Sequence, residues 1–222
     1  MRDDFDIRAG KMHINGMNFR AESVSHRRRI TKRIFDVVLS LLGLIGSLSL
    51  WVIISLAIYL EDGWSIFYVQ ERIGKGGRIF KICKFRSMIK NAEQMGNLWT
   101  EENDLRITKV GRILRAAAVD ELPQLINIIK GDMSFVGPRS ERPELAEKFS
   151  KEIPNYNLCL SVRPGLTGVA QIYGNYDTVP HQKYRCDLFY VQKQSFGFDL
   201  KLILLSLWIT SKGKWEHRGR KF

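Results

Sequence analysis

The chain has 222 residues, 45% of them apolar, and a formal net charge of +12 at pH 7. That length fits one domain, or one domain with an anchor, and the apolar share is enough for a core. A pI near 9.8 favours an anionic partner, whether nucleic acid, an acidic membrane surface or a phosphorylated substrate. Cys83, Cys159 and Cys186 are odd in number, far apart and without a CxxC, which argues against a disulfide framework and a zinc site and fits a reduced compartment.

Residues 1–31 read as a polar and basic leader without a clear period. From Val37 to Leu60 the chain carries no charged side chain. A helix of about 20 such residues crosses a hydrocarbon core of about 30 Å. The segment starts too deep and runs too long for a cleavable signal, and no small-residue cleavage motif follows it. His26-Arg-Arg-Arg29 and Lys32-Arg33 precede it, a cluster suited to an anionic inner leaflet. Of the 35 Lys and Arg residues, nine lie in 1–60 and 26 beyond, so a spanning helix would place one basic side outside. A helix over 32–60 that enters the bilayer, bends and leaves by the same face resolves this conflict. Gly43, Gly46, Ser47 and Ser49 are the candidate kink residues, with no proline among them. The competing reading is a fully buried core helix.

Ile66–Gln70 and Arg78–Ile82 read as short strands joined by a turn at Gly74–Gly77. Residues 87–96 read as a short helix, and 111–118 as another, with Ile113, Leu114, Ala117 and Ala118 on one face. A third follows Asp120 at or near its N-cap, with Pro123 in the first turn, Leu122, Leu125, Ile126 and Ile129 as its stripe and Gly131 as its stop. Residues 141–151 are expected to be helical. Residues 200–210 are apolar nearly all round yet too short to span, so they belong in the core or the interface, with Trp208 and Trp215 at headgroup depth. The fold class is a helix-rich α/β or α+β domain over 61–222, behind the membrane segment.

The densest chemistry lies at Arg115-Ala-Ala-Ala-Val-Asp120-Glu121-Leu-Pro-Gln124. A helix N-terminus favours ionised carboxylates. An ionised aspartate can attack phosphorus and form an acyl phosphate, and a neighbouring carboxylate can hold Mg²⁺ on a diphosphate. Taken alone, such a pair at a helix N-terminus is usually capping and dipole chemistry. Cations surround it in sequence: Lys84 and Arg86 on one strand face, Arg112 and Arg115 one turn apart, Arg139 after Val136-Gly-Pro, and Arg163 before Pro-Gly-Leu-Thr-Gly168. Phosphoryl transfer asks for such cations, to hold a diphosphate in line and offset developing charge.

The ordered motifs resemble those of the monotopic bacterial phosphoglycosyl transferases. They are Lys32-Arg-Ile-Phe-Asp36, Gln70-Glu-Arg-Ile-Gly74, Phe80-Lys-Ile-Cys-Lys84-Phe-Arg86-Ser-Met88 and Leu105-Arg-Ile-Thr108. Val110-Gly-Arg-Ile-Leu-Arg115, Val119-Asp-Glu-Leu-Pro-Gln124 and Lys130-Gly-Asp-Met-Ser-Phe-Val-Gly-Pro-Arg139 follow. Arg163-Pro-Gly-Leu-Thr-Gly-Val-Ala-Gln171, Asp187-Leu-Phe-Tyr190 and Asp199-Leu-Lys-Leu-Ile203 complete the set. The resemblance implies a re-entrant membrane helix, amphipathic interfacial helices, Mg²⁺, and an active site on the cytoplasmic face of the inner membrane. It implies transfer of a sugar 1-phosphate from a nucleotide-diphosphate sugar, a UDP-sugar by expectation, to polyprenyl (undecaprenyl) phosphate through a covalent phosphosugar enzyme. Such a reaction releases nucleoside monophosphate and initiates glycoconjugate or exopolysaccharide assembly.

Carried over position by position, Asp120 is the nucleophile and Glu121 its partner, and both are the metal candidates. Lys84, Arg115, Arg139 and Asp187 fall on polar active-site positions. Arg86, Arg163 and Gln171 join them as candidate substrate or phosphate contacts. The chain departs from the family pattern at Leu48-Ser49, where a Ser-Pro is usual, at Trp64-Ser65 in place of Gly-Pro, and at Pro138-Arg139-Ser140 in place of Pro-Arg-Pro. Inner-membrane lipids are expected partners, and homo-oligomerisation is left open. A non-catalytic membrane scaffold of the same family is the alternative. A tethered nucleic-acid binder rests on charge alone, with no zinc, RNP-like or helix-turn-helix signature.

Overall fold

The structure, a computed structural model, describes residues 5–6, 11–12, 26–95, 104–174 and 180–215. Most of the expected leader and the end of the expected 87–96 helix lie outside these residues. Strands β1 (Phe5–Asp6) and β2 (Lys11–Met12) pair antiparallel. Helix α1 then runs His26–Asp62, 37 residues, or about 55 Å at 1.5 Å per residue. It has two faces. Asp36, Ser40, Ser47, Ile54 and Ile58 are buried, and with half-buried Lys32, Gly43, Trp51 and Asp62 they recur every three or four residues along one stripe. Ile34, Val38, Leu42, Ile45, Leu48, Val52, Leu56 and Leu60 are exposed on the rest, up to 74% at Leu60. A continuous apolar face of this length calls for lipid or a partner.

No break falls at the expected kink over Gly43–Ser49: α1 is helical throughout. The small residues have other uses. Ser47 Oγ donates to Leu44 O and accepts from Trp51 Nε1, which keeps its hydrogen bonds within the helix. Gly43 lets the helix approach Leu125, whose Cδ1 lies 3.1 Å from where a Cβ would sit.

Strands β3 (Phe67–Ile73) and β4 (Ile79–Phe85) form an antiparallel hairpin in register from Phe67↔Phe85 to Ile73↔Ile79. Both are longer than the sequence pattern indicated. Their turn, Lys75–Gly77, needs positive φ at Gly76 and Gly77, which glycine supplies. The helix expected over 87–96 is a 3₁₀ turn at Ala92–Met95 only. Residues 87–89 are extended instead, because Ser87 O accepts from Thr108 N and Ile89 N donates to Arg106 O. Helix α2 (Lys109–Ala116) is capped twice: Thr108 Oγ1 accepts from Gly111 N, and the Glu61 carboxylate at the end of α1 accepts from Lys109 and Val110 N.

Helix α3 (Gln124–Lys130) stops at Gly131, φ 95°. Its buried stripe is Leu125 and Ile128, not the expected Ile126 and Ile129, because the chain enters through a 3₁₀ turn rather than a helical one. Strand β5 (Ser134–Val136) pairs in parallel with β6 (Gly165–Thr167). Between them lie α4 (Pro143–Glu152) and a 3₁₀ segment at Tyr156–Ser161. Helices α5 (Val169–Tyr173), α6 (Pro180–Lys193) and α7 (Phe196–Ser211) complete the described chain. Val136, Val169, Tyr190, Leu202 and Ile209 form the core joining β5 to these three helices. On α7, Leu202 and Ile209 are buried while Leu204, Leu207 and Trp208 are exposed, so this helix has a core face and an opposite exposed apolar face. The described domain is helix-rich with small mixed sheets and one long apolar N-terminal helix, as the sequence indicated.

Candidate active site

Alanine 118 takes the left-handed conformation, φ 53° and ψ 23°, between α2 and the 3₁₀ turn Val119–Glu121. For a residue with a Cβ this costs about 1 kcal/mol or more. It turns the chain sharply, so that Asp120 and Glu121 belong to a separate tight turn. Asp120 is therefore not the N-cap of α3; Pro123 holds that place. Asp120 is only 7% exposed.

Two cations from different elements converge on Glu121. Lys84 Nζ, from the end of β4, lies 2.5 Å from Oε1, and Arg139 Nη2 lies 3.7 Å from the same oxygen. Burial opposes the charge of Glu121, but Lys84 and then Arg139 outweigh it and hold the carboxyl at about 2. Glu121 is thus an anion throughout the neutral range, suited to orienting cations rather than carrying protons.

Arg139 comes from a rigid loop. Gly137 N donates to Thr167 O at 3.0 Å and Gly165 N donates to Pro138 O at 2.8 Å. A Cβ on Gly137, Gly165 or Gly168 would sit within 2.4 Å of facing backbone. The backbones can lie this close only because three glycines meet. Burial works against the Arg139 charge, yet Glu121, Glu141, Asp120 and Asp187 together raise its pKa. One half-exposed guanidinium therefore stands among four carboxylates.

Arg72, Lys84 and Arg139 line one cavity with Glu121, Gln124 and Ser140. Arg72 was not among the residues singled out from sequence. Burial first, and then the charge of Arg139, lowers its pKa to about 10. Its Nη1 donates to Ser140 O and its Nη2 to Gln70 Oε1. The signal for it was the hairpin register, which puts residues 72, 82 and 84 on one face. Gln124 is 2% exposed and its Nε2 has no hydrogen-bond partner among the described residues, a donor that a phosphate oxygen would satisfy.

The remaining candidates divide. Asp187 lies against the Arg139 backbone N–H in an adjoining cavity with Glu141 and Lys183. Arg115 ends α2, one turn before the dyad. Gln171 lies under the loop crossing, where its Oε1 would be 2.8 Å from a Cβ on Gly168. Arg86 is elsewhere: β4 ends at Phe85, so the strand face shared with Lys84 is lost and Arg86 turns back to the Asp62 carboxylate at 3.1 Å and to the Asp62 and Gly63 carbonyls. Arg163 Nε donates to Gly131 O, at the far end of α3 from the dyad. These two arginines brace the ends of helices.

A long helix with an exposed apolar face is thus clasped to a domain in which Lys84 and Arg139 pair with Glu121 and share a cavity with Arg72, an arrangement that suits an anionic ligand. Residues 27–213 match the family model described as bacterial sugar transferase, and the chain belongs to that family. It is similar to a UDP-N-acetylgalactosamine-undecaprenyl-phosphate N-acetylgalactosaminephosphotransferase of Aeromonas hydrophila, 35% identical over 79% of this chain and 42% of the relative. It is also similar to a UDP-glucose:undecaprenyl-phosphate glucose-1-phosphate transferase of Caulobacter vibrioides, 40% identical over 79% of this chain and 67% of the relative. An exopolysaccharide production protein of Sinorhizobium fredii is 37% identical over 80% of this chain and 84% of its own length. The matched stretch is less than half of the Aeromonas protein.

Proposed function

We propose that the protein transfers a sugar 1-phosphate from a UDP-sugar to undecaprenyl phosphate, releasing UMP, at the cytoplasmic face of the inner membrane. The observation that carries this reading is the Asp120-Glu121 pair, with Asp120 buried and Glu121 fixed by Lys84 and Arg139 beside a cavity lined by three cations. Two of these relatives, the Aeromonas and Caulobacter proteins, carry both undecaprenyl phosphate and a UDP-sugar in their names.

In the first step an Asp120 carboxylate oxygen attacks the sugar-bearing phosphorus. A bond forms from Asp120 to phosphorus, the bond from phosphorus to the bridging oxygen breaks, and UMP leaves with that electron pair. In the second step an oxygen of the acceptor phosphate attacks the same phosphorus, and the Asp120 carboxylate departs unchanged. The acceptor is already largely ionised at neutral pH, so the second step has little need of a base. Arg72, Lys84 and Arg139 hold the diphosphate and offset the charge that builds on the equatorial oxygens.

The donor set fits Mg²⁺. Asp120 and Glu121 offer carboxylate oxygens, both recorded cation contacts of Glu121 fall on Oε1, and Mg²⁺ is commonly held by one or two carboxylates with substrate phosphates supplying the rest. Bound there, it would neutralise charge on the diphosphate and the departing UMP.

The test is intact-protein mass spectrometry after a rapid quench. Wild type given UDP-sugar and Mg²⁺ without acceptor should release up to one equivalent of UMP and gain the mass of a sugar phosphate. Asp120→Asn should do neither while remaining folded. An adduct that survives in Asp120→Asn, or maps to another residue, would move the nucleophile elsewhere.

A further inference from the structure

A second cavity opens on the other side of Arg139, which lines both. Its walls differ in kind from those of the cation-lined cavity. Phe149 of α4, Ile153 just past its end, and Tyr156 and Tyr184 give it an apolar, aromatic side, with the two tyrosine rings stacked at 5.8 Å. Glu141, Asp187 and Lys183 give it a polar side. Asp187 Oδ1 is shielded from solvent and has no hydrogen-bond partner among the described residues. Burial raises both carboxyl groups, and each also feels other charges: Asp187 the repulsion of Glu141, Glu141 the attraction of Arg139. The Tyr156 hydroxyl is close enough to Glu141 to be raised by it after burial.

We propose that this cavity receives the hexose ring of the donor and sets which sugar the enzyme accepts, with Glu141, Asp187 and Tyr156 as the discriminating groups. The inference rests on the donor reading given above. A diphosphate in the cation-lined cavity has two uncharged ends, the sugar and the nucleoside, and Arg139 is where one of them must pass. Two carboxyl groups repel phosphate and keep it on the cation side. They are acceptors, so they suit a ring rich in hydrogen-bond donors. A hexose offers a hydroxyl at most ring positions, each able to donate. A uracil offers one N–H donor against two carbonyl acceptors, and those acceptors would meet the carboxyl oxygens unfavourably. The apolar side then packs the C–H face of the sugar. A site built to hydrogen-bond a particular hydroxyl rejects a donor that lacks it or turns it away, because its own buried polar group is left unpaired.

The experiment uses the full chain in detergent with undecaprenyl phosphate. UMP release is measured for UDP-glucose, UDP-galactose, UDP-N-acetylglucosamine and UDP-N-acetylgalactosamine, and UMP is titrated as a product inhibitor. Glu141→Gln and Tyr156→Phe are compared with wild type. Tyr156→Phe keeps the ring packing and serves if Glu141→Gln does not fold. The expected result is that the kcat/KM ratio between two sugars shifts by about tenfold or more while UMP inhibition stays within about twofold. Weakened UMP inhibition with an unmoved sugar ranking would place the nucleoside there and overturn the assignment. Folded variants with neither change would remove the cavity from the donor site. A wild type that releases UMP from none of the four donors would sink the transfer reading itself, and this assignment with it.

Discussion

Arg139 sits where every charged group of the site can feel it, and its loss should be felt by all of them. Arg139→Ala leaves Glu121 with Lys84 as its one ion-pair partner among the described residues and removes the guanidinium shared by both cavities. Turnover should fall by about 10²–10³, the scale of removing one fixed donor from a charge-stabilising site. Arg139→Lys should restore only part, since a point charge cannot make two parallel contacts to phosphate. Unchanged turnover in the alanine variant would take Arg139 out of the chemistry. Asp187 makes the opposite kind of prediction. Its folded pKa lies above its unfolded value, through burial first and then Glu141. Its charged form therefore costs stability, and that cost grows as pH rises through the window from the unfolded value to the folded one. Asp187→Asn should melt higher than wild type at pH 8, with the gain gone at pH 4, as read by thermal unfolding in detergent. Asp120, Glu121 and Arg139 were legible because their motifs are short and chemically unusual. Arg72 was not, because an arginine in a strand with polar neighbours looks like a solvated residue until the hairpin register pairs its face with that of Lys84. Arg86 was misleading for the converse reason: alternation placed it with Lys84, but the strand had already ended.

At the scale of elements, the site depends on close backbone approach that only glycine allows. Gly165 is the tightest point, with a prospective Cβ 2.1 Å from Gly137 N and 2.3 Å from Thr167 O. Both are backbone atoms: Gly137 N cannot step aside without moving the chain beyond β5 away from β6, and Thr167 O cannot without distorting β6 itself. Gly165→Ala should therefore cost about 2–3 kcal/mol or more, or prevent folding outright, seen as a lowered melting temperature. Ala118→Gly should behave oppositely, because glycine removes the left-handed strain before the dyad at the cost of some unfolded-state entropy. Stability should stay within about 1 kcal/mol and turnover within about twofold; a large loss of activity with the fold intact would show that the methyl group itself shapes the Asp120 turn. The helices were legible in outline from periodicity and caps, and Gly131 marked the end of α3 correctly. The 3₁₀ turn holding the dyad was hidden, because Asp-Glu-Leu-Pro reads equally as a capped helix start. The extended run at 87–89 was hidden because its partners, residues 104–108, lie far along the chain.

The whole molecule is organised around α1, whose contacts with the domain extend along nearly all its length. Near its start, Lys32 Nζ reaches Asp199 at 2.7 Å, Arg33 donates to the Ile128 and Ile129 carbonyls, and Asp36 accepts from Phe135 N. At its middle, Gly43 and Leu44 meet α3 and the hairpin core. Toward its end, Trp51 packs on Phe67 and Phe85, Ile54 and Ile58 are buried, and Asp62 pairs with Arg86. A helix crossing the bilayer along its normal would carry the domain's charged loops into a hydrocarbon core of about 30 Å, where their polar groups would lose water. With the stripe clasped and the apolar face turned to lipid, both ends can stay at one surface although the helix is unbroken. The sequence suggested a bend, because it showed the basic flanks but not the domain lying along the helix. The prediction is that Ile30, near the start of α1, and Lys90, whose Nζ lies 3.8 Å from a prospective Cβ on Gly63 just past its end, both exposed, are reached from the same side. In a background with Cys83, Cys159 and Cys186 replaced by serine and activity retained, Ile30→Cys and Lys90→Cys should each react with a membrane-impermeant maleimide in inside-out vesicles and not in intact cells. Ile45→Cys, on the exposed apolar face, should resist the reagent from either side. Reaction of Ile30→Cys from outside and Lys90→Cys from inside would mean that α1 spans, and that the clasp along its length is not kept in the membrane.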